Sequence, residues 1–86
     1  MMYTIIPGPK AKKFLKKSDP HIRDRILKNI KKLSDNPLPK GVIKVVGEEN
    51  VFRIRIGDYR VLYEIYSKQK IIVIANIDKR PKVYKK

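Results

Sequence analysis

The stretch from Val51 to Ile65, VFRIRIGDYRVLYEI, limits what this chain can become more than any other. Apolar and polar residues alternate on both sides of Gly57-Asp58, and a Gly-Asp pair between two such runs is a signal for a tight β-hairpin. A turn at Gly57-Asp58 fixes the register: Ile56 faces Tyr59, Arg55 faces Arg60, Ile54 faces Val61, Arg53 faces Leu62 and Phe52 faces Tyr63. Phe52, Ile54, Ile56, Tyr59, Val61, Tyr63 and Ile65 then share one face, while Arg53, Arg55 and Arg60 share the other. Like charges set directly opposite each other destabilise a strand pair. A face that only needed to be solvated could spread its arginines out, so this cluster is a reason to look for an anion.

The rest of the chain supplies what the apolar face of the hairpin needs. Tyr3 to Ile6 is a short β-prone segment closed by Pro7-Gly8-Pro9. Pro9 suits the first turn of a helix, and Lys10 to Lys17 puts Ala11, Phe14 and Leu15 on one side. Ser18 and Asp19 before Pro20 read as a cap and a first-turn proline opening a second helix. Its apolar stripe is Ile22, Ile26, Leu27, Ile30 and Leu33, and the two helices are expected to form a hairpin. Asn36-Pro37-Leu38-Pro39 lies in a loop running to Gly41, since prolines and glycine stop a helix. Beyond it the pattern is only β: Val42 to Val46, a turn at Gly47 to Asn50, the Val51–Ile65 hairpin, a polar turn at Ser67 to Lys70, and Ile71 to Ile77. The last run is apolar at every position from Ile71 to Ala75, which predicts a strand covered on both faces. The fold class is therefore α+β, with two N-terminal helices packed on one face of a four- to five-stranded, mainly antiparallel sheet. Residues 1–86 are expected to make a single domain.

Charge narrows the function classes. Lysine and arginine number 22 against 8 aspartates and glutamates, a formal net charge of +14. Such a chain attracts polyanions, nucleic acid foremost. The basic residues are spread over helices and strands alike, which argues against an amphipathic membrane binder. The absence of cysteine excludes disulfides and thiolate chemistry and fits a reducing, cytoplasmic setting. No apolar run is long enough for a spanning helix, and the N-terminus lacks a leader pattern, so a soluble, non-secreted protein is expected.

Arg53, Arg55 and Arg60 are the sharpest candidates, because guanidinium groups bind phosphate bidentately and keep their charge. Two readings stay open: a phosphate site, or a solvated face with a salt bridge from Arg53 or Arg55 to Glu64. Arg80 and Tyr84 follow the last strand, and Tyr84 could close the fold or stack on a nucleobase. His21 has no second histidine to make a metal or acid–base pair. No phosphate-binding glycine loop, nucleophile elbow or cofactor fingerprint is present, and no metal or cofactor is expected.

The stretch FRIRIGDYRVLYEI, together with Asn36-Pro37-Leu38-Pro39 and Lys79-Arg80 with a following Tyr84, resembles the RelE/ParE toxin superfamily of type II toxin–antitoxin modules, and the RelE branch in particular. The likeness covers nearly the whole chain. It implies a RelE-like, microbial-RNase-like fold and a toxin that enters the ribosomal A site and cleaves messenger RNA without a metal, the RNA's own 2′-OH attacking the adjacent phosphate. It also implies an acidic RelB-like antitoxin that wraps the toxin in a hetero-oligomer, with ribosome and messenger as further partners. By position, Arg60 and Arg80 correspond to residues on the scissile phosphate, Tyr84 to one that stacks on or orients the base, and Arg53 and Arg55 to charge-stabilising residues.

The departures from the family pattern bear on mechanism. The two strand positions are lysines in the RelE branch, whereas arginine is effectively never deprotonated, so the general base is unassigned. Tyr84 fits that role only if surrounding guanidinium groups pull its pKa down. Phe52 replaces the commoner tyrosine. Two other readings compete: a ParE-like, non-enzymatic inhibitor of DNA gyrase, and a basic RNA- or ribosome-binding module without activity.

Overall fold

In the computed structural model, which describes residues 2–79, the chain runs β1 (Thr4–Pro7), α1 (Pro9–Lys17), α2 (Pro20–Lys32), β2 (Ile43–Lys44), β3 (Val51–Ile56), β4 (Tyr59–Tyr66) and β5 (Ile71–Lys79). Both helices open on a proline whose missing N–H would have no intrahelical partner there. Gly8, ahead of α1, donates its amide to the Ile74 carbonyl at 2.9 Å. A Cβ on Gly8 would stand 3.1 Å from that oxygen, so the absence of a side chain lets the β1–α1 junction sit against β5. Ser18 closes α1 by donating its Oγ to the Phe14 carbonyl at 2.7 Å. Asp19 takes the N-cap position of α2, but its side chain makes no capping bond.

The five strands form one mixed sheet in the order β1-β5-β4-β3-β2. Every pairing is antiparallel except β1 with β5, which is parallel. The β3–β4 hairpin pairs residue for residue as its alternation dictates, from Phe52 opposite Tyr63 to Ile56 opposite Tyr59. Gly57 adopts φ +61, the left-handed conformation a tight turn requires and glycine adopts freely.

Both helices cover one face of the sheet. Ala11, Ile26, Ile30 and Leu33 pack there with the inward residues of β3, β4 and β5. Each buried isoleucine or leucine side chain contributes about 1.5–3 kcal/mol by leaving water. Tyr63 is fully buried in this core, and its hydroxyl donates to the Pro37 carbonyl at 2.6 Å, which ties the loop after α2 to the sheet. Burial pushes that phenol up to about 12.

Three expectations are corrected. The strand expected over Val42–Val46 shrinks to Ile43–Lys44, because the chain turns early: Glu48 donates to the Val45 carbonyl, Gly47 lies at φ +87, and Val46 is 96% exposed. Leu27 leaves the α2 stripe and is exposed. β5 is buried on one face only: Ile72, Ile74 and Ile77 point into the core, while Ile71, Val73 and Ala75 are half-buried. The step from Ile74 to Ile77 breaks the period of two because Leu62 pairs with Asn76 while Tyr63 pairs with Ile74, leaving Ala75 as an extra residue in a β-bulge.

Candidate functional site

The face of the sheet turned away from the helices carries the arginines. Arg55 stands opposite Arg60 across the hairpin and Arg53 opposite Leu62. Arg53 and Arg60 are half-buried, and Arg55 is exposed. Glu64 does not neutralise them; it accepts a hydrogen bond from the Tyr66 hydroxyl at 2.9 Å. Among the described residues no lysine or arginine nitrogen comes within 4.0 Å of a carboxylate oxygen. The Glu64 ion pair that would have made this an ordinary solvated face is therefore not formed.

The hairpin tip gathers a further guanidinium that the sequence reading passed over. Arg55 donates its Nε to the Gly57 carbonyl at 3.1 Å. Arg25, reaching over from α2, lies so close that a Cβ on Gly57 would stand 2.6 Å from its Nη2. Two guanidinium groups thus rest on one turn.

Across β4 the face continues onto β5, where Arg60 pairs with Asp78 and Leu62 with Asn76. Asn76 Nδ2 donates to Asp78 Oδ2 at 3.0 Å, and the Ile77 amide donates to Asn76 Oδ1 at 2.9 Å. Asp78 and Asn76 also border an open cleft of about 380 Å³, lined on its far side by Lys10, Lys13 and Lys17 of α1. Phe14, in the same cleft, meets the Tyr59 ring edge-on at 5.7 Å and holds α1 against the tip of the hairpin. Such edge-to-face pairs add about 0.5–1.5 kcal/mol to their burial.

Of the residues singled out in the sequence, the fold brings Arg53, Arg55 and Arg60 together, while Arg80 and Tyr84 lie outside the described residues. Asp78, Asn76, Arg25 and the α1 lysines join the surface unannounced. The visible cue for the β5 pair is the change after Ala75, where polar residues enter at alternate positions, Asn76 and Asp78. Chemically the face can grip phosphates through its guanidinium groups and offers two carboxylates, Glu64 and Asp78, of which Asp78 is paired across the strands with Arg60.

A family model described as the ParE toxin of the type II toxin–antitoxin system parDE matches residues 5–84. A Methanocaldococcus jannaschii protein named as the toxin RelE1 is 31% identical over 88 residues, which cover 99% of this chain and 98% of the relative. The solved RelE–RelB complex of Pyrococcus horikoshii contains a chain that superposes with a TM-score of 0.83 at 30% identity, over 96% of this chain and 100% of that one. The RelBE2 toxin–antitoxin complex of Mycobacterium tuberculosis gives a TM-score of 0.81 at 29% identity, over 93% and 100%. Two helices over one face of a five-stranded mixed sheet make this an α+β fold shared with those structures. The chain belongs to the RelE/ParE superfamily of type II toxin–antitoxin toxins.

Proposed function

We propose that this toxin is a ribosome-dependent endoribonuclease that cleaves messenger RNA in the A site, and so acts in the cytoplasm. The observation that carries the reading is the bare arginine face, where Arg55 and Arg60 stand directly opposite each other with no ion pair to relieve them. A phosphate bound between them would turn that repulsion into bidentate contact. Arg60 and Arg80 hold the scissile phosphate, Arg53 and Arg55 stabilise the charge that develops on it, and Tyr84 stacks on or orients the neighbouring base. The nucleophile is the RNA's own 2′-OH, so the protein supplies positioning and electrostatics, with no cofactor. A RelB-like antitoxin is the partner that would block this face. The +14 charge suits an acidic segment that orders on binding, and two of the similar structures are RelE–RelB-type complexes.

The second reading, a ParE-like inhibitor of gyrase that needs no chemistry, is favoured by the description of the matching family model. Translation in a purified system, with the messenger ends mapped, separates the two. Cleavage at A-site codons that requires the ribosome supports the first. Intact messenger with inhibited gyrase supports the second. Losing one preorganised charge contact typically costs about 100- to 1,000-fold in rate. Arg60→Ala is therefore expected to fall by that factor with its melting temperature nearly unchanged. Undiminished cleavage, or undiminished growth arrest on expression of an Arg60→Ala, Arg80→Ala double variant, would remove these residues from the site.

A further inference from the structure

With arginine at both 53 and 55, neither of those strand positions holds a group able to take a proton, and the geometry points to Asp78, the cross-strand partner of Arg60, as the general base. This deepens the ribonuclease reading and rests on it. Continued from Ile72 and Ile74, strict alternation would send residues 76 and 78 inward. Ala75 is the extra residue of the bulge, and past it the phase inverts: Ile77 turns into the core, 1% exposed, while Asn76 and Asp78 come out beside the arginines. Bulges re-aim side chains in this way next to active sites.

Three further features fit the role. Asp78 is the cross-strand partner of Arg60, and such partners have Cβ atoms about 4.5–5.5 Å apart. A phosphate gripped by Arg60 is therefore held on the same face of the sheet as the Asp78 carboxylate. Asn76 donates to Asp78 Oδ2 and is itself fixed by the Ile77 amide, which aims that carboxylate. Among the described residues, Arg60 faces Asp78 from β4, and Lys10, Lys13 and Lys17 of α1 line the cleft that Asp78 borders. A carboxylate so surrounded stands where a phosphate strand must pass.

In the reaction, Asp78 accepts the proton of the 2′-OH while the 2′-oxygen bonds to phosphorus. The P–O5′ bond breaks, and the departing 5′-oxygen takes a proton from water. The products are a 2′,3′-cyclic phosphate and a 5′-hydroxyl, and Asp78 returns its proton to solvent. Water thus gives one proton and receives one.

The test is single-turnover cleavage of ribosome-bound messenger across pH by the full chain and by Asp78→Asn, which keeps the shape and the Asn76 contact but cannot act as a base. General-base removal is expected to lower kcat by about 100-fold or more. KM for the programmed ribosome should stay within a few fold, and the decline in rate on the acid side of the profile should vanish. Asp78→Glu should recover part of the rate and restore the acid limb. A charge-balancing role would instead leave kcat and the profile unchanged and shift only the salt dependence of binding; that result, with wild-type cleaving and Arg60→Ala inactive, overturns this inference and leaves the ribonuclease reading standing. A wild-type chain that leaves messenger intact on programmed ribosomes removes the ribonuclease reading, and the base with it.

Discussion

The two faces of the β3–β4 hairpin are made from the same fifteen-residue stretch, Val51 to Ile65, yet they obey opposite rules. On the inner face Ile54, Ile56, Val61, Tyr63 and Ile65 are all buried, and the one polar atom among them, the Tyr63 hydroxyl, has a partner. On the outer face Arg53, Arg55 and Arg60 stand beside each other without a carboxylate in contact. The first arrangement leaves no buried polar side-chain atom without a partner, and the second concentrates like charge. Stability is concentrated on one side and the capacity to bind on the other, so substitutions on the two faces should fail in different assays.

The largest expected effect comes from the inner face. Ile72, with none of its surface exposed, packs among both helices' core residues, and Ile72→Ala should cost about 2–5 kcal/mol in a thermal or urea melt. Arg53→Ala, across the sheet, should stay within about 0.5 kcal/mol. If Arg53→Ala destabilised the fold as much as Ile72→Ala, the division of labour between the faces would collapse.

An intermediate effect turns on Tyr63. Its phenol is pushed up to about 12 from 10.0 by burial, so folding favours the neutral form. The contribution is complete below the unfolded value and is lost as pH climbs from about 10 to about 12, some 3 kcal/mol for a shift of about two units. Tyr63→Phe gives up the bond to Pro37, about 1 kcal/mol, but has nothing to ionise. Wild type should therefore be the more stable protein at pH 8 and the less stable at pH 12. Parallel stability curves for the two proteins across that range would show that this phenol is not held in the core.

The hairpin was legible because its cues are local: strict alternation and a Gly-Asp turn set register and facing together, and Arg55 opposite Arg60 followed without knowledge of the rest. β5 was not. Ile71 to Ala75 is apolar at every position, so it has no phase to read, and the bulge that creates one depends on pairing with β4. Asp78 lies past the expected end of that strand at Ile77, and only the pairing with β4 sets it beside Arg60. β2 failed for the converse reason: five residues dominated by β-branched types suggested a strand, but the turn at Gly47 and the Val45 amide bonded to the Val51 carbonyl leave only Ile43 and Lys44 paired across from β3. Arg25 lies off the apolar stripe of α2, and only packing brings it to the hairpin tip.

The smallest effect sharpens the comparison most, because Gly57 lies where the two faces meet. Its φ of +61 costs an alanine roughly 1–2 kcal/mol. The approach of Arg25 adds little to that, since a guanidinium at the end of a flexible chain can swing away. Gly57→Ala should thus lose a similar amount in wild-type and Arg25→Ala backgrounds, agreeing within about 0.5 kcal/mol. Asparagine tolerates the left-handed conformation, so Gly57→Asn should recover most of the stability while still displacing Arg25. Measured by anisotropy with an uncleavable 2′-O-methyl RNA, Gly57→Asn should then bind several-fold more weakly despite melting close to wild type. Equal affinity in wild type and Gly57→Asn would show that the guanidinium delivered from α2 belongs to the packing of the tip, and that the binding face ends at Arg55.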